Sequence, residues 1–167
     1  KIVDSVIHDG IWDTYNNMHM GNCAELLASE RKYSRLEQDN YATRSYERSL
    51  KSQSQGLFES EIIPIIKKDK KNKTIEIAED EEPKRVIFDK INKLKPVFDN
   101  KGTITAANAS TLNDGASILL VMSQVRAKEL GYNPLAKIIS HASYAHDPKW
   151  FTTAPSQVIK KVLKKSS

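Results

Sequence analysis

The chain of 167 residues carries 26 Lys and Arg against 21 Asp and Glu, a formal net charge of +5, with 39% hydrophobic and 28% charged residues. That length accommodates one domain, or one and a small piece, and that balance excludes wholesale disorder. No apolar run approaches the roughly 20 residues of a spanning helix, and the basic excess gathers in two solvated runs, "KKDKKNK" and the final "KKVLKKSS", without the interleaved aromatics that stack on bases, so neither a membrane nor nucleic acid is an expected partner.

The opening "KIVDSVIHDG" shows no signal-like or transit-like pattern, and a targeting segment is expected to be absent from this chain. From Gly21 to Lys32 the apolar residues Ala24, Leu27 and Ala28 recur at helical spacing, which predicts a short amphipathic helix. Cys23 lies within it and is the only cysteine, so no intrachain disulfide forms and the expected compartment is reducing. "SRLE" at Ser34–Glu37 has the hydroxyl and carboxylate of a capping box. The helix it opens is expected to present Gln38, Tyr41, Ala42, Ser45, Tyr46 and Ser49 on one face and to end at Gly56.

"EIIPIIKK" (Glu61–Lys68) is β-branched but broken by Pro64, and "KTIEIAED" (Lys73–Asp80) alternates through Ile75 and Ile77. They predict an edge strand and a half-buried strand joined by the lysine-rich loop. "EEPKRVIFDKINKLKPVFDNKG" lacks a sustained period and reads as irregular surface with one turn of helix. After Gly115 the continuous apolar run Ala116–Ser123 predicts a strand covered on both faces. Ser123 caps a helix closed by Gly131, Leu135–Ser143 is a further strand, and Pro155 starts a helix with Val158, Val162 and Leu163 as its apolar stripe. This strand, helix, strand, helix order is α/β layering. It supplies too few strands to cover the first, which points to a piece of a larger α/β protein.

Between these parts lies "ITAANASTLNDGAS", Ile104–Ser117, with no basic residue and a single acid, Asp114. Small side chains let another molecule approach the backbone, and Gly and Asn are expected to supply unusual backbone angles there.

"HDGIWDTYNNMHMGNCAE", "EDEEPKRVIF", "TITAANASTLNDGAS" and "NPLAKIIS", in that order, resemble the middle of a thiolase, of the acetyl-CoA acetyltransferase kind, and most closely the short-chain mitochondrial acetoacetyl-CoA type. The resemblance covers nearly the whole chain. It implies a partial thiolase-like α/β fold: an α+β loop domain covering the coenzyme (residues 1–112), the last strand and helix of the N-terminal half (113–133), and the opening of the C-terminal half (134–167). The family's Cys-x-Ser-Gly nucleophile, Asn-Glu-Ala-Phe segment, Gly-His-Pro segment and second Cys have no counterpart. Cys23 in "GNCAE" is therefore expected to be structural, and the chain by itself inactive.

The resemblance assigns the site residues. Ala106–Ser110 would wall the pantetheine arm of CoA, with the Ser110 hydroxyl bonding its amides. Carbonyls of Ala106, Ala107 and Ala109, with the Tyr46 hydroxyl, would hold the K⁺ of the potassium-dependent type, a hard cation that suits oxygen ligands. Arg85, Val86, Ile87 and Lys90 would meet the nucleotide, the guanidinium stacking on adenine or forking onto phosphate. Phe98 would line the tunnel, and His19 and Met20 would sit beside the acyl pocket with His19 binding rather than transferring protons. CoA or acetyl-CoA is the substrate so implied, homo-oligomers are the assembly, and the compartment is mitochondrial or cytoplasmic. Two alternatives stand beside this: a segment of a longer-chain 3-ketoacyl-CoA thiolase, and a non-catalytic module for CoA binding or subunit contact.

Overall fold

A computed structural model describes residues 2–166 of the chain. It divides into two compact units, Lys1–Leu27 with Thr111–Ser167, and Ala28–Ser110.

In the first unit a π-helical turn, Val6–Gly10, precedes two short antiparallel strands, β1 (Trp12–Asp13) and β2 (Met18–His19), with Trp12 opposite His19 and Asp13 opposite Met18. The buried Asp13 carboxylate shapes their connection. It accepts from the amides of Tyr15 and Asn16 at 3.0 and 3.2 Å and from Asn16 Nδ2 at 2.6 Å. Asn17 takes φ 52°, which its short polar side chain tolerates. Strands of two residues are too short to show alternation, so this hairpin left no periodic signal in the sequence. Helix α1 (Met20–Glu30) follows directly, with Cys23 buried; Ala28, also buried, is the first residue of the second unit.

Two expected strands of this unit do not form. Residues 116–123 and 135–143 join no ladder, and Ile118 and Leu119 are 91% and 86% exposed. The apolar pattern prepares these segments for a covered sheet, but a strand exists only when a neighbour takes up its backbone groups. The helices of the expected order do form. The Ser123 hydroxyl accepts from Arg126 N at 3.2 Å to cap α4 (Gln124–Glu129). Gly131, at φ 73°, turns the chain after it. A 3₁₀ helix (Pro148–Thr153) leads into α5 (Ala154–Ser166), which carries Pro155 in its first turn.

The second unit is built on α2 (Arg35–Ser54). Its capping box is reciprocal: Ser34 Oγ accepts from Glu37 N at 3.2 Å, and the Glu37 carboxylate accepts from Ser34 N at 2.8 Å. Gly56, at φ 64°, lies just past its end. The inward face keeps Gln38, Ala42, Tyr46 and Ser49 of the expected one but not Tyr41 and Ser45. Asp39 and Ala42 are buried and Tyr46 is half-buried, whereas Tyr41 and Ser45 are exposed. The face therefore runs Arg35, Asp39, Ala42, Tyr46, rotated toward a carboxylate that finds partners elsewhere in the unit.

Strands β3 (Ile65–Lys68) and β4 (Thr74–Ile77) pair antiparallel from Ile65 opposite Ile77 to Lys68 opposite Thr74. The lysine-rich loop joins them as expected. Asp69 Oδ1 accepts from Lys71 N and Lys73 N at 2.8 and 2.9 Å, and Asn72 takes φ 62°. The irregular segment holds two short helices instead of one: α3 (Glu82–Arg85), with Pro83 at its start, and a 3₁₀ helix (Phe88–Lys93) whose Ile91 is buried. Both pack on α2.

Candidate functional site

The stretch singled out by its small, uncharged residues forms a tight turn organised by Thr105. The Thr105 carbonyl accepts from Asn108 N and Ala109 N at 3.3 and 3.0 Å, and its hydroxyl accepts from Ala107 N at 3.3 Å. In return Asn108 Oδ1 accepts from Thr105 N at 2.7 Å. This T-A-A-N arrangement repeats the reciprocal logic of the S-R-L-E box, with an amide oxygen in place of the carboxylate. A trans peptide sets its C=O opposite its N–H, and no described peptide is cis. With the amides of Ala107 and Asn108 aimed at Thr105, the carbonyls of Ala106 and Ala107 point away from it.

Ile104 and Thr105 are buried, Ala107 and Ala109 are half-buried, and Ala106 and Ser110 are exposed. The small-residue wall therefore stands at the surface of its unit. No positive φ occurs between residues 104 and 117, which corrects the expectation of unusual backbone angles: Asn108 serves through its side chain, and the turn is right-handed throughout.

The turn is fastened to α2. Asn108 Nδ2 donates to Asp39 Oδ1 at 2.9 Å and to the Thr103 carbonyl at 3.1 Å, while Gln38 Nε2 donates to Thr103 Oγ1 at 2.8 Å. The other oxygen of Asp39 accepts from Arg35 Nε at 2.7 Å, and Arg35 Nη2 reaches the Ile91 carbonyl at 2.9 Å. One face of α2 thus ties together the turn and the 3₁₀ helix that follows Arg85–Ile87. Sequence reasoning missed Arg35, Asp39, Thr105 and Asn108; the T-x-x-N spacing was the available signal for the last two.

Tyr46 lies two helical turns beyond Asp39 on the same face. Burial raises its phenol above the usual range, and the Glu82 carboxylate adds to that shift, so the hydroxyl stays neutral. Arg85 is exposed at the end of α3 and ion-paired with Glu81. Val86 is half-buried, whereas Ile87 and Lys90 are exposed, and Lys90 N donates to the Ile87 carbonyl at 2.9 Å. Phe98 is half-buried beside Val97, whose N–H donates to the Ile104 carbonyl at 2.9 Å. Tyr46, Arg85–Lys90, Phe98 and Ala106–Ser110 all belong to this unit.

His19 and Met20 belong to the other unit, where β2 passes into α1. His19 Nδ1 accepts from Gly21 N at 2.9 Å, which leaves the proton of the neutral ring on Nε2. Cys23 is fully buried, and burial followed by the Asp13 charge raises its thiol above the usual range. That is the opposite of an activated nucleophile. An open groove near β4, bordered by Glu59, Glu61, Glu79 and Asp80 around Phe58 and Ile62, contains none of the expected site residues. Four carboxylates repel an anionic nucleotide, so this groove is unsuited to CoA.

Residues 1–125 match the family model described as the thiolase N-terminal domain. The chain is 49% identical over 166 residues to an acetyl-CoA acetyltransferase of Yarrowia lipolytica, covering 99% of this chain and 42% of that protein. It is 50% identical over 165 residues to the mitochondrial acetyl-CoA acetyltransferase of Mus musculus, covering 98% of this chain and 39% of that one. The crystal structure of the Bacillus anthracis acetyl-CoA acetyltransferase superposes with a TM-score of 0.93 at 37% identity, and that of an Ascaris suum thiolase in complex with coenzyme A with 0.86 at 34%; each comparison covers 99% of this chain and 42% of the other. The chain thus spans about two fifths of the length of these relatives. With its fold a partial thiolase fold and three quarters of its residues, 1–125, matching the family model, the chain belongs to the thiolase family.

Proposed function

We propose that this chain supplies the coenzyme-clasping part of an acetyl-CoA C-acetyltransferase, which condenses two acetyl-CoA molecules to acetoacetyl-CoA, or runs the reverse, through an acyl-cysteine. The observation that carries this reading is the Thr105–Ser110 turn: uncharged, at the surface of its unit, fastened to α2, and set with carbonyls facing away from Thr105. In it Ala106 and Ser110 face the pantetheine arm, small enough for its amides to reach backbone. Arg85 and Lys90 take the nucleotide, with Arg85 exchanging Glu81 for phosphate or adenine. The relatives' names as acetyl-CoA acetyltransferases and the coenzyme A bound by the Ascaris thiolase support the substrate class.

K⁺ fits the same turn. Among the described residues no three His, Cys, Asp or Glu side chains gather to hold a metal ion. The outward carbonyls of Ala106 and Ala107, with that of Ala109 and the neutral Tyr46 hydroxyl, are the oxygen donors a large monovalent cation takes. When bound, such an ion neutralises carbonyl dipoles and stiffens the wall. The chain has no Cys-x-Ser-Gly nucleophile and its one thiol is buried and protonated, so catalysis belongs to the remainder of a longer protein. That protein is a homo-oligomer, dimer or tetramer, of the mitochondrion or cytoplasm; the mouse relative is named mitochondrial.

Titration calorimetry of the chain with CoA tests the reading. Binding is expected, with Arg85→Ala weakening it about tenfold through loss of one charge-assisted contact. Absence of binding, or binding unaffected at Arg85, would sink it. Acetoacetyl-CoA thiolysis should stay at background, and turnover above background would overturn the inactive-segment claim.

A further inference from the structure

We propose that Asp39 is a positioning residue, a buried carboxylate out of the coenzyme's reach that holds the Thr105–Ala109 turn in its coenzyme-facing shape and thereby sets coenzyme affinity; this rests on the CoA reading above. Asp39 is 4% exposed, so its work is done on other side chains. Each oxygen serves one donor: Oδ2 takes Arg35 Nε at 2.7 Å and Oδ1 takes Asn108 Nδ2 at 2.9 Å. The Asn108 amide is fully used as well, its nitrogen between Asp39 and the Thr103 carbonyl and its oxygen on Thr105 N.

Asn108 is therefore a lock across residues 103–108, and Asp39 is the point where the lock meets α2. The bonds within the turn fix its shape but not its place. The contact between residues 69 positions apart, with the Gln38–Thr103 bond beside it, fixes its place. Through Arg35 and the Ile91 carbonyl the same carboxylate also tethers the 3₁₀ helix next to Arg85–Ile87. One acid thus sets the spacing between the pantetheine wall and the nucleotide segment. Asp suits this task because both neighbours arrive as donors; a neutral amide has one acceptor end and satisfies only one of them.

The test compares the wild-type chain with Asp39→Asn, Asn108→Asp and the double exchange, reading amide hydrogen exchange by NMR and CoA affinity by calorimetry. Asp39→Asn sets donor against donor, and Asn108→Asp sets carboxylate against carboxylate. Each is expected to speed exchange at Thr105 and Ala109 and to weaken CoA binding, both about tenfold or more, as for loss of a hydrogen bond to a buried charge. The amides paired between β3 and β4 should stay protected. The double variant restores a donor facing an acceptor between positions 39 and 108 but leaves the Thr103 carbonyl facing a carboxylate oxygen, so it should recover part of both effects relative to Asn108→Asp, which a general loss of stability would not produce. If Asp39→Asn fails to fold, Asn108→Asp removes the donor to Asp39 while keeping an oxygen for Thr105 N and leaving the Arg35–Asp39 pair, and is expected to give the same readings. Unchanged exchange at Ala109 in the single variants, or faster exchange there with unchanged CoA affinity, overturns the proposal. A wild-type chain that takes up no CoA sinks the coenzyme reading instead, and the exchange data then decide by themselves whether Asp39 holds the turn.

Discussion

Burial lifts the Cys23 thiol above its usual range, with the Asp13 charge adding to the shift, and burial followed by Glu82 does the same for the Tyr46 phenol. Both groups hold their protons more tightly in the folded state than in the unfolded one. The stability they contribute is complete below the ordinary Cys and Tyr values and is lost as pH rises through the raised ones. Iodoacetamide should therefore label Cys23 far more slowly in the native chain than in urea, and equal rates would remove its structural role. Tyr46→Phe should flatten the alkaline fall in stability while changing neutral-pH stability by no more than about 1 kcal/mol. A chemical-denaturation series against pH reads both. If the hydroxyl is a K⁺ ligand, the same variant should also abolish any difference between K⁺ and Na⁺ in amide protection of Ala107 and Ala109.

At the scale of elements, α2 is specified locally at its ends and non-locally along its face. The Ser34–Glu37 box is readable from four residues, because every partner lies within one turn. The backbone bond to Ser34 N, then the Ser34 hydroxyl, lowers the Glu37 carboxyl below its usual range. Its contribution is present above the ordinary Glu value and lost as pH falls through the lowered one. Ser34→Ala is expected to lower the melting temperature at neutral pH and to shrink its acid dependence; an unchanged acid limb in circular dichroism melts would contradict this. Further along the face, Arg35→Ala leaves the Asp39 carboxylate buried with Asn108 as its remaining donor. Removing one partner of such a pair is expected to cost about 3 kcal/mol in urea unfolding. The spacing of α2 predicted a helix and placed Ala42 and Tyr46 on its inward face, but it added Tyr41 and Ser45, which are exposed, and left out Arg35 and Asp39. Asp39 reads as a solvated acid until Asn108 and Arg35 are brought beside it.

For the whole molecule the outstanding feature is apolar surface. Ile118, Leu119, Leu120 and Val121 are exposed in sequence, as are Leu135, Ile138 and Ile139. Contiguous apolar exposure drives association, so the chain should bind a hydrophobic dye and self-associate. Leu119→Lys with Val121→Lys should reduce both without changing CoA affinity, and unchanged dye binding would show these residues covered. The sequence alone determined what one or two turns of chain decide: α1, α2, α4 and α5 with the Ser34 and Ser123 caps, the β3–β4 hairpin with its lysine loop, and the family, because propensity, capping and motif spacing are local. Only the tertiary structure decided that Asp39 is buried, that Asn108 acts through its side chain, that the Thr105 turn hangs from α2, and that the two apolar runs form no strand. Each of these depends on a partner distant in sequence or on a backbone neighbour, and no local pattern records whether that partner arrives.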